Sequence, residues 1–136
     1  MSAARPSRWR GAFRPSPRYA VALVTFLTHQ FAQRFLAVRL PLADAYLDPF
    51  LCIPLLLGLA LAEQRWLGWR GAAEPFSAIE IAAMTLALAV LFEEGFPRID
   101  PARQTRDPWD YLAYAAGGLA YWGFSRQRKR GGVGSV

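Results

Sequence analysis

The chain carries one cysteine, one histidine and one lysine among its 136 residues. A single Cys52 excludes an intrachain disulfide, and its place inside an apolar segment reads as that of a small packing residue. Paired cysteines, HExxH, GxSxG and a phosphate loop are all missing, so the sequence offers no catalytic or metal signature. No cofactor is therefore expected, and binding without turnover is favoured over enzymatic chemistry, with hydrolase or transferase action on a lipid-linked substrate left open. With one lysine against fifteen arginines and much alanine, the composition is that of a GC-rich bacterial coding sequence.

The net charge of +6 would point to nucleic acid if the basic residues lined one face of a soluble domain. They do not. Arg5, Arg8, Arg10, Arg14 and Arg18 precede the first apolar run, and Arg126, Arg128, Lys129 and Arg130 follow the last, so no nucleic-acid partner is expected. Hydrophobic residues make up 54% of the chain, and the charges between them are gathered into short blocks. That blockwise pattern implies a membrane, with the lipid bilayer as principal partner.

The expected fold class is all-α: a polytopic bundle with four transmembrane helices, at about 19–40, 49–69, 76–92 and 108–124. Residues 1–18 and 126–136 are expected as basic cytoplasmic tails, the first of them disordered, flanking a transmembrane domain over 19–125. Asp48 reads as a helix cap with Pro49 as the first helical residue, and Pro54 as a bend one turn in. Ser77 and Glu80 read as a capping box. The fourth run, Trp109 to Phe124, would span only about 24 Å against a bilayer core of about 30 Å, so its flanks must contribute.

Four spans put both termini on one side. Counting basic residues, eleven (the two terminal blocks with Arg65 and Arg70) would lie inside and four (Arg39, Arg98, Arg103, Arg106) outside. This predicts a bacterial cytoplasmic membrane protein with N- and C-termini in the cytoplasm. Asp44, Asp48, Glu93, Glu94, Asp100, Asp107 and Asp110 would then collect at the outer side.

"DPFLCIPLLLGL" from Asp48 and "DPWDYLAYAAGG" from Asp107 both open Asp-Pro-aromatic and carry a glycine ten residues on, at Gly58 and Gly117. The offset predicts two helical hairpins in a two-plus-two repeat and sets Arg34 opposite Glu93. A guanidinium and a carboxylate at one membrane depth are far cheaper as a pair than apart. An alternative stays open, because Asp-Pro is simply a good way to start any helix.

His29 and Gln33 share one face of the first helix, as do Gln30 and Arg34. Polar groups at membrane depth turn inward to a partner or a wet cavity. Asp107 and Asp110 have a sufficient reason in capping and the helix dipole. A functional reading groups Glu93, Glu94, Asp107, Asp110, Arg106, His29 and Arg34 as an outer cluster able to bind a cation, hold a polar headgroup or transfer protons. Ala113 with Gly117, and Ala116 with Ala120, are small pairs that admit a close helix neighbour. Tyr111, Tyr114, Tyr121 and Trp122 read as packing and interface anchors.

"FEEGFPRIDPARQTRDPWDYLAYAAGG" resembles the VanZ-like family of small bacterial membrane proteins. That family has a glutamate at the end of one transmembrane helix, an arginine in the following loop, and Asp-x-x-Asp-x-x-x-Asn-x-x-Gly opening the next. The glutamate falls on Glu93 or Glu94, the arginine on Arg103 or Arg106, the acids on Asp107 and Asp110 and the glycine on Gly117. Tyr114 stands in place of the asparagine, which puts a hydrogen-bonding role there in doubt. The resemblance implies a multi-helix cell-envelope protein, in a family tied by its founding member to reduced glycopeptide antibiotic susceptibility.

Two functions follow as expectations. The first is a binding or modulating protein whose outer acidic cluster recognises a headgroup, envelope precursor or small ion. The second is a transporter or channel subunit acting as a homo-oligomer, with His29, Arg34 and the acids lining a path.

Overall fold

The computed structural model describes residues 16–102 and 107–131, and among these it is all-helical. Four main helices alternate in direction: α1 (Pro17–Phe35), α2 (Pro41–Trp66), α3 (Ala78–Val90) and α4 (Asp110–Gly131). Beyond α3 the chain stays helical through a widened π turn, Leu91–Gly95, and one further turn, Phe96–Ile99. Among the described residues α2 is the one helix long and apolar enough to cross a membrane by length and composition.

α1 starts where Ser16 caps it, its Oγ accepting the Tyr19 N–H at 3.2 Å, with Pro17 supplying a pre-set first turn. It ends at Phe35, short of the expected Leu40. Ala37 takes a left-handed φ of 52°, and the N–H groups of Leu36 and Val38 both close on the Ala32 carbonyl at 3.2 Å.

The largest departure from expectation is the start of α2. It opens at Pro41, so Asp48 and Pro49 lie two turns inside it and Asp48 caps nothing. Leu40 is extended, as a residue before proline must be, and its N–H is taken by the Asp44 carboxylate at 3.0 Å. The two Asp-Pro sites are consequently not equivalent. At the second, the Asp107 carboxylate accepts the Trp109 N–H and its carbonyl accepts the Asp110 N–H, both at 3.0 Å. Asp107 thus shapes the turn ahead of α4, and Asp110 is the first helical residue instead of the third.

The capping box is present as expected. Ser77 Oγ accepts the Glu80 N–H at 3.3 Å, and Glu80 Oε2 accepts the Ser77 N–H at 2.7 Å. Arg70 pairs with the same carboxylate, donates to the Pro75 carbonyl at 3.0 Å and lies over the Phe76 ring, tying the α2–α3 loop shut.

α4 packs between α2 and α3, while α1 packs mainly on α2. Two adjacent glycines explain how α4 fits. A side chain at Gly117 would strike the Phe50 carbonyl of α2, and one at Gly118 would strike Thr85 of α3. Phe50 is four residues before Pro54, which has no N–H to offer, so this carbonyl is left without its helical partner. Facing it with bare glycine backbone supplies a Cα–H contact in place of a collision. Of the expected small pairs, Ala113 with Gly117 is buried at the α2 face, whereas Ala116 is exposed.

The core is made by Ile53 and Leu57 of α2, Ile81 and Ala89 of α3, Tyr114 of α4 and Phe76. Both ends of the bundle chain meet at one side, where Arg18 donates to Gln127 at 2.9 Å and lies over the Phe124 ring. The helix continues past the expected Phe124 to Gly131, so α4 is about 33 Å long at 1.5 Å per residue.

Gly58 provides the internal comparison, because the atoms a side chain there would meet belong to the Tyr19 ring, a side chain instead of backbone. Gly117→Ala should destabilise the fold by about 1–3 kcal/mol, since helix backbone cannot yield as a ring can. Gly58→Ala should stay within about 1 kcal/mol of wild type, with helix propensity offsetting the ring movement. Thermal unfolding of the two variants in the same detergent tests the order, and a more damaging Gly58→Ala would refute it.

Candidate functional site

The polar residues at the α1–α2 and α3–α4 turns form two clusters, each binding one pair of helices. Between α3 and α4 the centre is Glu93, only 4% exposed. The π turn inserts one extra residue into the helical spacing and carries this side chain into the bundle. Its Oε2 accepts the Asp107 N–H at 3.0 Å and its Oε1 accepts the Tyr114 hydroxyl at 3.1 Å. The Asp110 carboxyl adjoins it. A buried carboxylate without such donors would be very costly, so these bonds are conditions of its burial.

Tyr114 is therefore more than an anchor. Its ring stacks on Phe92 at 5.8 Å between centroids, and its hydroxyl donates to Glu93 at 3.1 Å.

Between α1 and α2 the centre is His29, 9% exposed. Its Nδ1 lies 3.0 Å from Asp48 Oδ1 and its Nε2 lies 3.2 Å from Asp44 Oδ1. The first is a hydrogen bond; the second is close but off line, and Nε2 is left without one. Gln30 donates to Asp48 at 2.8 Å and Gln33 donates to Asp44 at 2.7 Å. Asp44 and Asp48 are four apart on α2, and the polar face of α1 docks on them through residues 29, 30 and 33.

The single outer cluster expected from sequence is thus divided. Glu93, Asp107 and Asp110 come together, whereas His29 belongs with Asp44 and Asp48. Glu94 turns away to Arg98 at 3.3 Å on the exposed side. The expected Arg34–Glu93 pair is absent: among the described residues Arg34 makes no ion pair with either glutamate. The alignment of the two Asp-Pro helix starts that set them opposite is not kept, because α2 starts eight residues before Pro49. Arg103 and Arg106 lie outside the described residues. Asp44, Asp48, Gln30, Gln33 and Tyr114 were not among the expected site residues, although the four-residue spacing of Asp44 and Asp48, matching 29 and 33, carried the signal.

A cavity of about 920 Å³ opens between the two clusters. Phe26, Leu27, Phe31 and Phe35 of α1 form one wall, Pro49 and Cys52 of α2 the floor, and Phe92 and Tyr114 the other wall. Gln30, Arg34 and Asp48 supply its polar lining. The arrangement suits an elongated, largely apolar ligand with a polar head. Among the described residues no group of three or more His, Cys, Asp or Glu side chains is disposed to hold a metal ion.

No family model, curated protein or solved structure matches this chain.

If the two clusters are separate, His29→Ala and Asp48→Ala should be strongly non-additive, with a coupling of about 1–3 kcal/mol. His29→Ala and Glu93→Gln, on different helix pairs with no shared partner, should add to within about 0.5 kcal/mol. Unfolding free energies of the two double-mutant cycles decide this. Equal coupling in both would restore the single cluster.

Proposed function

We propose that this chain is a four-span, VanZ-like protein of the bacterial cytoplasmic membrane that binds a polar-headed ligand in the cavity at its outer, acidic end. The observation that carries the reading is the distribution of apolar surface. Val21, Val24 and Leu27 on α1, Leu59 on α2, Leu86 on α3, and Leu112 and Leu119 on α4 are each more than half exposed. The largest fully enclosed side chains among the described residues are Ile53 and Leu57. Water does not tolerate large contiguous apolar surface on every helix, and lipid requires it.

The charges support the same reading. Arg18, Arg65, Arg70 and Arg126 collect at the end where α1 begins, and seven of the ten acids lie toward the other, which orients the basic end inward. Binding is favoured over transport by the apolar core. Between the Glu93 and His29 clusters and the Arg70–Glu80 pair at the opposite end lie Ile53, Leu57, Ile81 and Leu88, with Thr85 a buried hydroxyl among them, so among the described residues no continuous polar stripe joins the two sides within one copy.

Orientation is testable by thiol labelling in a Cys52→Ser background. Ala72→Cys, in the α2–α3 loop, should react with an impermeant maleimide only after the membrane is opened, and Ala102→Cys should react in intact cells. Labelling of both from the same side would end the four-span reading.

Filling the cavity should abolish function without unfolding the protein. In a deletion strain scored across envelope antibiotics, Cys52→Trp should fail to complement while remaining membrane-inserted at wild-type abundance. Full complementation by Cys52→Trp would remove the cavity from the function.

A further inference from the structure

The electrostatic state of the cavity identifies the class of ligand it takes. Asp48 is the one acid among its described lining residues, and both of its oxygens are engaged, by His29 and Gln30. Glu93 lies behind Tyr114 and is held by the Tyr114 hydroxyl and the Asp107 N–H. Asp44 is taken up by Gln33 and the Leu40 N–H, and Glu94 by Arg98. Arg34 is different: it lines the cavity, is exposed, and has neither an ion pair nor a hydrogen bond among the described residues. The stretches 1–15, 103–106 and 132–136 contain no Asp or Glu that could reach it.

A guanidinium presents five N–H donors in a planar fork that matches phosphate oxygens two at a time. Beside it run Phe31 and Phe35, stacked at 4.8 Å, then Leu27 and Phe26 about one turn deeper than Phe31 along α1. A charged site at one end and an aromatic-walled trough leading away from it complement an amphiphile with an anionic head.

We propose that the cavity binds a phosphate-headed membrane lipid, its phosphate on Arg34 and the upper part of its acyl chain along Phe26, Leu27, Phe31 and Phe92. This rests on the membrane-spanning, ligand-binding reading above. A general interfacial arginine would also lie near headgroups, but Arg39 would then serve equally well. Arg39 is exposed at the same end, outside any helix and away from the cavity.

The test is native mass spectrometry of detergent-purified full-length protein titrated with phosphatidylglycerol or with diacylglycerol of the same chains. Wild type should retain phosphatidylglycerol in preference to diacylglycerol. Arg34→Ala should weaken phosphatidylglycerol retention about tenfold and leave diacylglycerol unchanged, while Arg34→Lys should fall between. Arg39→Ala should match wild type, and Cys52→Trp should lower retention of both lipids. Equal losses for Arg34→Ala and Arg39→Ala would overturn the proposal, as would an unchanged lipid preference in Arg34→Ala. If Cys52→Trp still lowers retention while Arg34→Ala changes nothing, ligand binding in the cavity stands and the phosphate assignment alone falls. If wild type retains neither lipid, both fall.

Discussion

The fold depends on the passage of α4 between α2 and α3 at Gly117 and Gly118. Each glycine faces a different neighbour, one the Phe50 carbonyl and the other the Thr85 side chain, so neither can be enlarged without displacing a helix. The close approach brings the two backbones into direct van der Waals contact, an attraction that a larger side chain at either position would remove. Pro54 contributes to this contact from the other side. By withholding an N–H it leaves the Phe50 carbonyl free to face α4, a missing ladder bond that would be a defect in an isolated helix.

The same contact divides the molecule into two hairpins. α1 and α2 are clamped by His29, Gln30 and Gln33 on Asp44 and Asp48; α3 and α4 are clamped by Glu93 on Asp107 and Tyr114. The α2–α4 seam joins them, and α1 makes its main contact with α2. The space between α1 and the end of α3 is what the seam leaves unfilled. Its position follows from which helix pairs the polar residues hold together, since clamps placed across α1 and α3 would have closed it.

Features encoded within one turn of chain were legible in the sequence. Ser77 and Glu80 announced the start of α3, and Ala113 with Gly117 announced the tight face of α4. The grouping of Glu93 with Asp107 and Asp110 was legible through a motif. Features that depend on competition between two acceptable signals were not. Pro41 and Pro49 can each open a helix, and the choice falls on Pro41 because Asp44 takes the Leu40 N–H and because α1 supplies partners that make Asp48 useful two turns in. Misplacing that start by eight residues made the two Asp-Pro sites look equivalent, and with that came the expected Arg34–Glu93 pair. The π turn has no such excuse of ambiguity: nothing in "LFEEG" distinguishes a five-residue spacing from an ordinary one, yet it decides that Glu93 turns inward and Glu94 outward.

Pairing among the acids is therefore what gives Arg34 its chemical meaning. A chain with this many carboxylates near one end would ordinarily neutralise any arginine beside them. Here Glu94 goes to Arg98, the other paired carboxylates are spent on a histidine, two glutamines, a tyrosine and backbone N–H groups, and Arg34 is withheld from all of them. These donors satisfy the acids at short range without drawing the Arg34 guanidinium inward. An arginine kept available at the mouth of an aromatic trough costs little in stability, because it is exposed, and retains its full capacity for an anion that arrives from outside.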